Sequence, residues 1–189
     1  MSLAAFATAL LLLLLTPGPT NTLLAVAGAS RGVRRSLPLM AAEIAGYFTT
    51  VLPLVIFAGP FIADAPLFAT AVKLCSSAWV LSLAVRLWTN SPADREVCIR
   101  MQCVYWTTVT NPKALIIGLA LIPAGTPQIA AYLAVLAATI LVVAALWLSF
   151  GAAVIGAIHR RHPALIGRLA ATCLLLFAAG LAGRAVGLV

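Results

Sequence analysis

The sequence predicts an all-α fold, a polytopic membrane helix bundle of six transmembrane helices. Three observations predict it. Hydrophobic residues make up 63% of the chain and charged residues 8%, against roughly 25% charged in soluble domains. That composition cannot assemble a water-facing surface, but it suits a lipid-facing one. The apolar residues fall into six runs, each long enough for the about 20 residues that a spanning helix takes. The basic residues fall in short clusters between those runs, where membrane proteins carry their orientation signals.

The first run, 3–29, is interrupted by Thr16-Pro17-Gly18-Pro19-Thr20-Asn21. No Lys or Arg precedes it, whereas a signal peptide opens on a basic segment, so an uncleaved span is expected. The second run, 37–62, carries Glu43, and the third, 66–88, carries Lys73. A polar cytoplasmic loop, 91–102, follows with Asp94, Arg95, Glu96 and Arg100. The fourth run, 103–124, contains Asn111-Pro112-Lys113. The fifth is 128–158, and the sixth, 164–188, carries Arg184. No alternating apolar-polar pattern of strand length recurs, which argues against a membrane β-barrel. The chain therefore reads as a single transmembrane domain, 1–189, in two three-helix halves, 1–90 and 103–189.

Loop charge sets the orientation. Arg31, Arg34 and Arg35 lie in the first loop, Arg86, Arg95 and Arg100 in or beside the third, and Arg160, Arg161 and Arg168 in the fifth. The second and fourth loops hold no Lys or Arg. Odd loops are thus expected in the cytoplasm and both termini in the periplasm. Trp88, Tyr105 and Trp106 flank the third loop as interfacial aromatics do.

Each half carries a proline-containing break in its first span, at Pro19 and at Pro112. A repeat of three spans has inverted topology, and inverted repeats with matching broken helices are a recurrent transporter plan, with the substrate near the midplane. Two prolines around a glycine remove two backbone donors. The carbonyls freed there cannot face lipid and need protein, water or a ligand. In the second break Asn111 is a fixed dipole beside a freed carbonyl. Lys113 either snorkels to the interface or meets a carboxylate from substrate or protein.

At these residues the chain resembles the lysine exporter (LysE/RhtB-type) translocator family, small bacterial inner-membrane exporters of amino acids and their derivatives. Thr16-Pro17-Gly18-Pro19, the basic turn Ser30-Arg31-Gly32-Val33-Arg34-Arg35 and Asn111-Pro112-Lys113 carry the likeness in this order, and it covers essentially the whole chain. The resemblance implies secondary export across the inner membrane, without ATP or covalent chemistry, driven by the proton gradient. Its partners would be an amino-acid-like small molecule, protons and the lipid bilayer. Substrate contacts are then expected at Pro17, Gly18, Pro19, Thr20, Asn21, Asn111, Pro112 and Lys113. The family places asparagine directly after the Pro-Gly-Pro run, whereas here Thr20 holds that place and Asn21 follows, turned by roughly 100° on a helix. Either Thr20 serves through its hydroxyl, or the break lets Asn21 reach.

Glu43 is the clearest acid within a span. An ionised carboxylate at that depth is costly, so it is expected to be the proton-coupling group, with Lys113 as its first partner. Lys73 and Arg184 lie nearer the outer ends, and Asp64 lies in a short outer loop. His159 and His162 bracket Arg160-Arg161 as a cytoplasmic anchor. The net charge of +8 forms no amphipathic basic face, so nucleic acid is not an expected partner. Cys75, Cys98, Cys103 and Cys173 include no Cys-x-x-Cys pair, and neither histidine stands at ligand spacing from one, so no metal or cofactor is expected. No nucleophile stands with a base, so no enzyme is expected. Small-residue pairs from Gly28-Ala29 to Gly32-Val33 and from Gly180 to Arg184 allow helix contacts and leave a homo-oligomer open. Two readings compete with export. An inorganic-ion permease would need rings of carboxylates or thiolates, and a non-transporting scaffold leaves the paired breaks without a use.

Overall fold

The computed structural model describes residues 2–58, 66–89, 99–123, 126–156 and 163–185. Asp64, Asp94, Arg95, Glu96, Cys98 and the turn from His159 to His162 lie outside the described residues. The fold is all-helical, with no strand among the described residues. In chain order the helices are α1 (Leu3–Leu15), α2 (Pro19–Ser36), α3 (Pro38–Pro53), α4 (Pro66–Thr89), α5 (Met101–Val109), α6 (Pro112–Ile116), α7 (Ile129–Phe150) and α8 (Pro163–Ala185). Wider π turns extend α3, α6 and α7 over Leu54–Ala58, Ile117–Leu121 and Gly151–Ile155.

Prolines open five of these helices at their first residue, a position where the missing N–H costs nothing and the fixed φ suits a helix. Two stretches are long and apolar enough to cross a membrane, Pro38–Ile56 and Ile129–Ile155, and α1 with α2 makes a third if that pair, bent by 63°, is one span. Large apolar side chains point outward along the rods, among them Leu176 at 71% exposure, Leu12 at 63% and Ile56 at 62%. In water that surface would be a liability, whereas in lipid it is the ordinary solvent-facing side.

The helix order in space is simple. The α2 helix packs on α7, α5 packs on α3, and α4 packs on α8. Glycines set the closest approaches. A Cβ at Gly28 would run into the Leu148 carbonyl, and one at Gly151 would run into the Ala25 carbonyl. On the other side, a Cβ at Gly46 would lie 2.7 Å from Thr108 Cβ and 2.9 Å from the Tyr105 carbonyl oxygen. Gly28 thus serves contact within the chain, while nothing lies within 4 Å of a Cβ at Gly180. Gly32 is in the left-handed region at φ +79 and breaks α2 within the basic turn.

The buried apolar residues form two clusters stacked along the bundle. One gathers Leu23 and Leu24 of α2, Leu39 and Ala42 of α3, Val104 of α5, Leu148 of α7 and the inner faces of α4 and α8. The other gathers Phe6 and Leu10 of α1, Tyr47 and Val51 of α3, Ala114 of α6, Ile117 and Leu136. The boundary passes through both chain breaks and through α3 between Ala42 and Tyr47. Thr20, Asn21, Glu43, Thr107, Thr108, Asn111 and Lys113, all buried polar or charged, lie at this boundary between two dry cores.

Candidate functional site

The first break ends α1 and starts α2. Pro17 and Pro19 cannot donate, so the last carbonyls of α1 need other partners. Thr16 covers two of them, with its N–H on the Leu12 carbonyl at 3.3 Å and its Oγ1 on the Leu13 carbonyl at 2.6 Å. Asn21 Nδ2 donates to the Leu14 carbonyl at 2.8 Å and to the Thr16 carbonyl at 2.9 Å. Asn21 therefore turns back onto its own break.

The second break separates α5 from α6. Asn111 is the N-cap of α6, and its Oδ1 accepts from the Lys113 N–H at 3.1 Å, with Pro112 at the first helical position. Thr110 and Asn111 close the end of α5 with backbone bonds to Trp106 and Thr108, each 3.0 Å. Thr50 of α3 donates to the Val109 carbonyl at 3.1 Å.

The two breaks meet. Asn111 Nδ2 donates to Thr20 Oγ1 at 3.3 Å, and Thr20 Oγ1 lies 3.3 Å from Thr108 Oγ1. The Thr108 hydroxyl proton is already used on the Val104 carbonyl at 2.8 Å. The Thr20 hydroxyl is accordingly the donor to Thr108 and the acceptor from Asn111. Thr20, rather than Asn21, faces the opposite half. Of the two residues offered for the family's asparagine position, Thr20 is the one in direct contact with Asn111.

Lys113 crosses from the second break to the first. It is buried, and its Nζ donates to the Thr16 carbonyl at 2.6 Å, at the negative end of the α1 dipole. A Cβ at Gly18 would lie only 3.3 Å from that Nζ, so glycine leaves the space through which the ammonium arrives. Glu43 is 2% exposed, and its Oε2 has no hydrogen-bond partner. Lys113 is the cation that acts on Glu43 electrostatically, and Tyr47, one turn along α3, feels the same carboxyl. The Lys113 ammonium makes its hydrogen bond to Thr16 and none to Glu43 Oε2, so the expected partnership acts through space and not as a contact ion pair.

The polar layer also contains groups the sequence reading did not single out. Trp79 Nε1 of α4 donates to Thr107 Oγ1 at 3.0 Å, and Thr107 donates to the Cys103 carbonyl at 2.6 Å. Trp147 Nε1 on α7 is buried without a partner, on a side chain that packs against both apolar clusters. The signal for the threonines was present, since Thr107-Thr108-Val109-Thr110 is a dense polar run inside an apolar stretch. Lys73 and Arg184 fall on α4 and α8, away from the two breaks in sequence. Among the described residues no three His, Cys, Asp or Glu side chains gather as metal ligands.

Chemically, the layer offers one buried carboxyl with an unmet oxygen, one ammonium and the N-terminal ends of two half-helices. Such ends attract anions. A carboxylate and an ammonium held on one small molecule complement that set. No family model, no curated protein and no solved structure matches the chain.

Proposed function

We propose that the protein is a proton-coupled secondary transporter that exports amino acids or amino-acid derivatives across the bacterial inner membrane, of the lysine exporter type that its motifs resemble. The observation that carries this reading is the meeting of two helix breaks, one from each half, in a buried polar layer with an unpartnered carboxyl and a lysine. A scaffold has no use for such a layer, because buried polar groups left unsatisfied weaken a membrane bundle.

Six spans in two inverted halves fit the packing. The broken helix of each half packs on the middle helix of the other, α1 and α2 on α7 and α5 and α6 on α3, and the third helices pair with one another. Exchanging the halves leaves that pattern unchanged. Helices α4 and α8, at 24 and 23 residues, have spanning length. Arg31 donates to the Ile99 carbonyl at 2.9 Å, which ties the first and third loops to one end of the bundle. This supports a common cytoplasmic side for the basic loops and periplasmic termini.

In this mechanism the substrate carboxylate takes Lys113 from the Thr16 carbonyl, and the substrate ammonium faces Glu43. Moving Lys113 leaves the Thr16 carbonyl held by Asn21 alone, so substrate entry and the geometry of the first break are coupled. Glu43 carries a proton inward when it faces the outside and releases it on the cytoplasmic side. Radiolabelled amino acids offered to inverted vesicles with an imposed proton gradient test the reading. Accumulation above vesicles lacking the protein, abolished by a protonophore, is expected. No accumulation of any amino acid or dipeptide, with correctly inserted protein, would overturn it.

A further inference from the structure

A second polar feature lies at the end of the bundle that carries the basic turns. A pocket of about 340 Å³ is lined there by Arg31, Arg35, Pro38, Leu39, Arg100 and Met101, with Gln102 beside them. Arg31, Arg35 and Arg100, from two separate chain segments, line it, and none of the described residues that line it is acidic.

The three arginines differ in their roles. Arg31 is held in place, with Nε on Ser36 Oγ at 3.3 Å and Nη2 on the Ile99 carbonyl. Ser36 in turn donates to the Gly32 carbonyl at 2.9 Å, across the left-handed turn at Gly32. Arg35 and Arg100 are exposed, and no side-chain partner holds either among the described residues. Two helices also begin on the pocket wall. Helix α3 starts at Pro38 and α5 at Met101, and neither has a side-chain cap. Pro38, Leu39 and Met101 add an apolar side.

We propose that this pocket binds a phosphate group, carried either by an anionic phospholipid or by a soluble phosphate ester. Guanidinium forks match phosphate oxygens two at a time, and basic pockets between spanning helices suit lipid headgroups. The apolar wall receives the carbon skeleton next to the phosphate.

The test uses the full chain in neutral detergent. Short-chain phosphatidylglycerol, phosphatidylcholine of the same chain length and inorganic phosphate are titrated separately, and the thermal unfolding midpoint is read. Saturable stabilisation by phosphatidylglycerol or by inorganic phosphate is expected, with apparent affinity weakened by about tenfold or more in Arg35→Gln and Arg100→Gln. Both side chains are exposed, so these variants should fold. Arg35→Lys and Arg100→Lys keep the charge, lose the fork and should also bind more weakly. Arg34→Gln removes one charge from the same turn without lining the pocket and should bind as the unaltered protein does. Stabilisation by phosphatidylglycerol alone assigns the lipid, and stabilisation by inorganic phosphate as well assigns a soluble ester. No saturable shift with either probe, or an equal loss in Arg34→Gln, overturns the proposal.

Discussion

Lys113→Met removes an ammonium from the buried layer and keeps the length of the apolar stem. Two effects on stability oppose one another. The bond from Nζ to the Thr16 carbonyl, at 2.6 Å, is charge-assisted, and such bonds contribute about 1.5–3 kcal/mol. A lysine charge at the centre of a spanning helix costs about 2.5–3.5 kcal/mol on insertion scales. The Thr16 carbonyl keeps Asn21 Nδ2 at 2.9 Å, so no acceptor is stranded. The two effects cancel to within about 1–2 kcal/mol, and the unfolding midpoint in detergent should move by less than about 8 °C. Transport should behave differently. Losing a charged hydrogen bond to the substrate carboxylate lowers export by about tenfold or more. Thermal unfolding and uptake into inverted vesicles, measured on one preparation, separate the two. Wild-type transport in a stable Lys113→Met variant would remove Lys113 from substrate binding. A midpoint lowered by much more than about 8 °C would make it a structural tie of the first break.

Glu43→Gln keeps the shape of the side chain and holds it neutral. It should abolish gradient-driven export while leaving substrate exchange partly intact, and unchanged proton-driven export would return Glu43 to a structural role. Gly28→Ala and Gly151→Ala push a methyl group into a facing carbonyl and should each destabilise the bundle by about 1–3 kcal/mol, whereas Gly180→Ala, with open space around it, should be neutral in the same melts. Asn21→Leu leaves the Leu14 carbonyl without its donor and should lower stability by about 1–3 kcal/mol, and a melt equal to wild type would mean the break closes some other way. In a cysteine-free background, single cysteines in the first and fifth loops should resist an impermeant thiol reagent in intact cells; labelling from outside would reverse the orientation.

Much of the helical layout was legible in the amino-acid order. The apolar runs fall on described helices, and two of these, Pro38–Ile56 and Ile129–Ile155, are long and apolar enough to cross a membrane. Both breaks were legible as well, since Pro17, Pro19 and Pro112 remove donors wherever the chain goes. Helical structure extends past the first apolar run to Ser36, well beyond residue 29, but it is kinked at Gly32, whose φ of +79 lies outside the helical region. The polar atoms of Thr107 and Thr108 were visible as residues, but their use was not.

Composition and loop charge alone determined a helical chain of membrane-capable segments with its basic residues between them. Local chemistry determined where the first and fourth runs break. Only the tertiary structure decided that Thr20 rather than Asn21 meets Asn111, that Lys113 hydrogen-bonds the Thr16 carbonyl and not Glu43 Oε2, and that Arg35 and Arg100 share a pocket. The physical reason is direction. Spacing along a helix fixes the face on which a side chain stands, but a broken helix resets that face by an angle the sequence does not contain, here a 63° bend between α1 and α2. Once the bend and the close approach at Gly28, Gly46 and Gly151 are set, hydrogen-bond partners follow from which donors still have an unmet acceptor within reach.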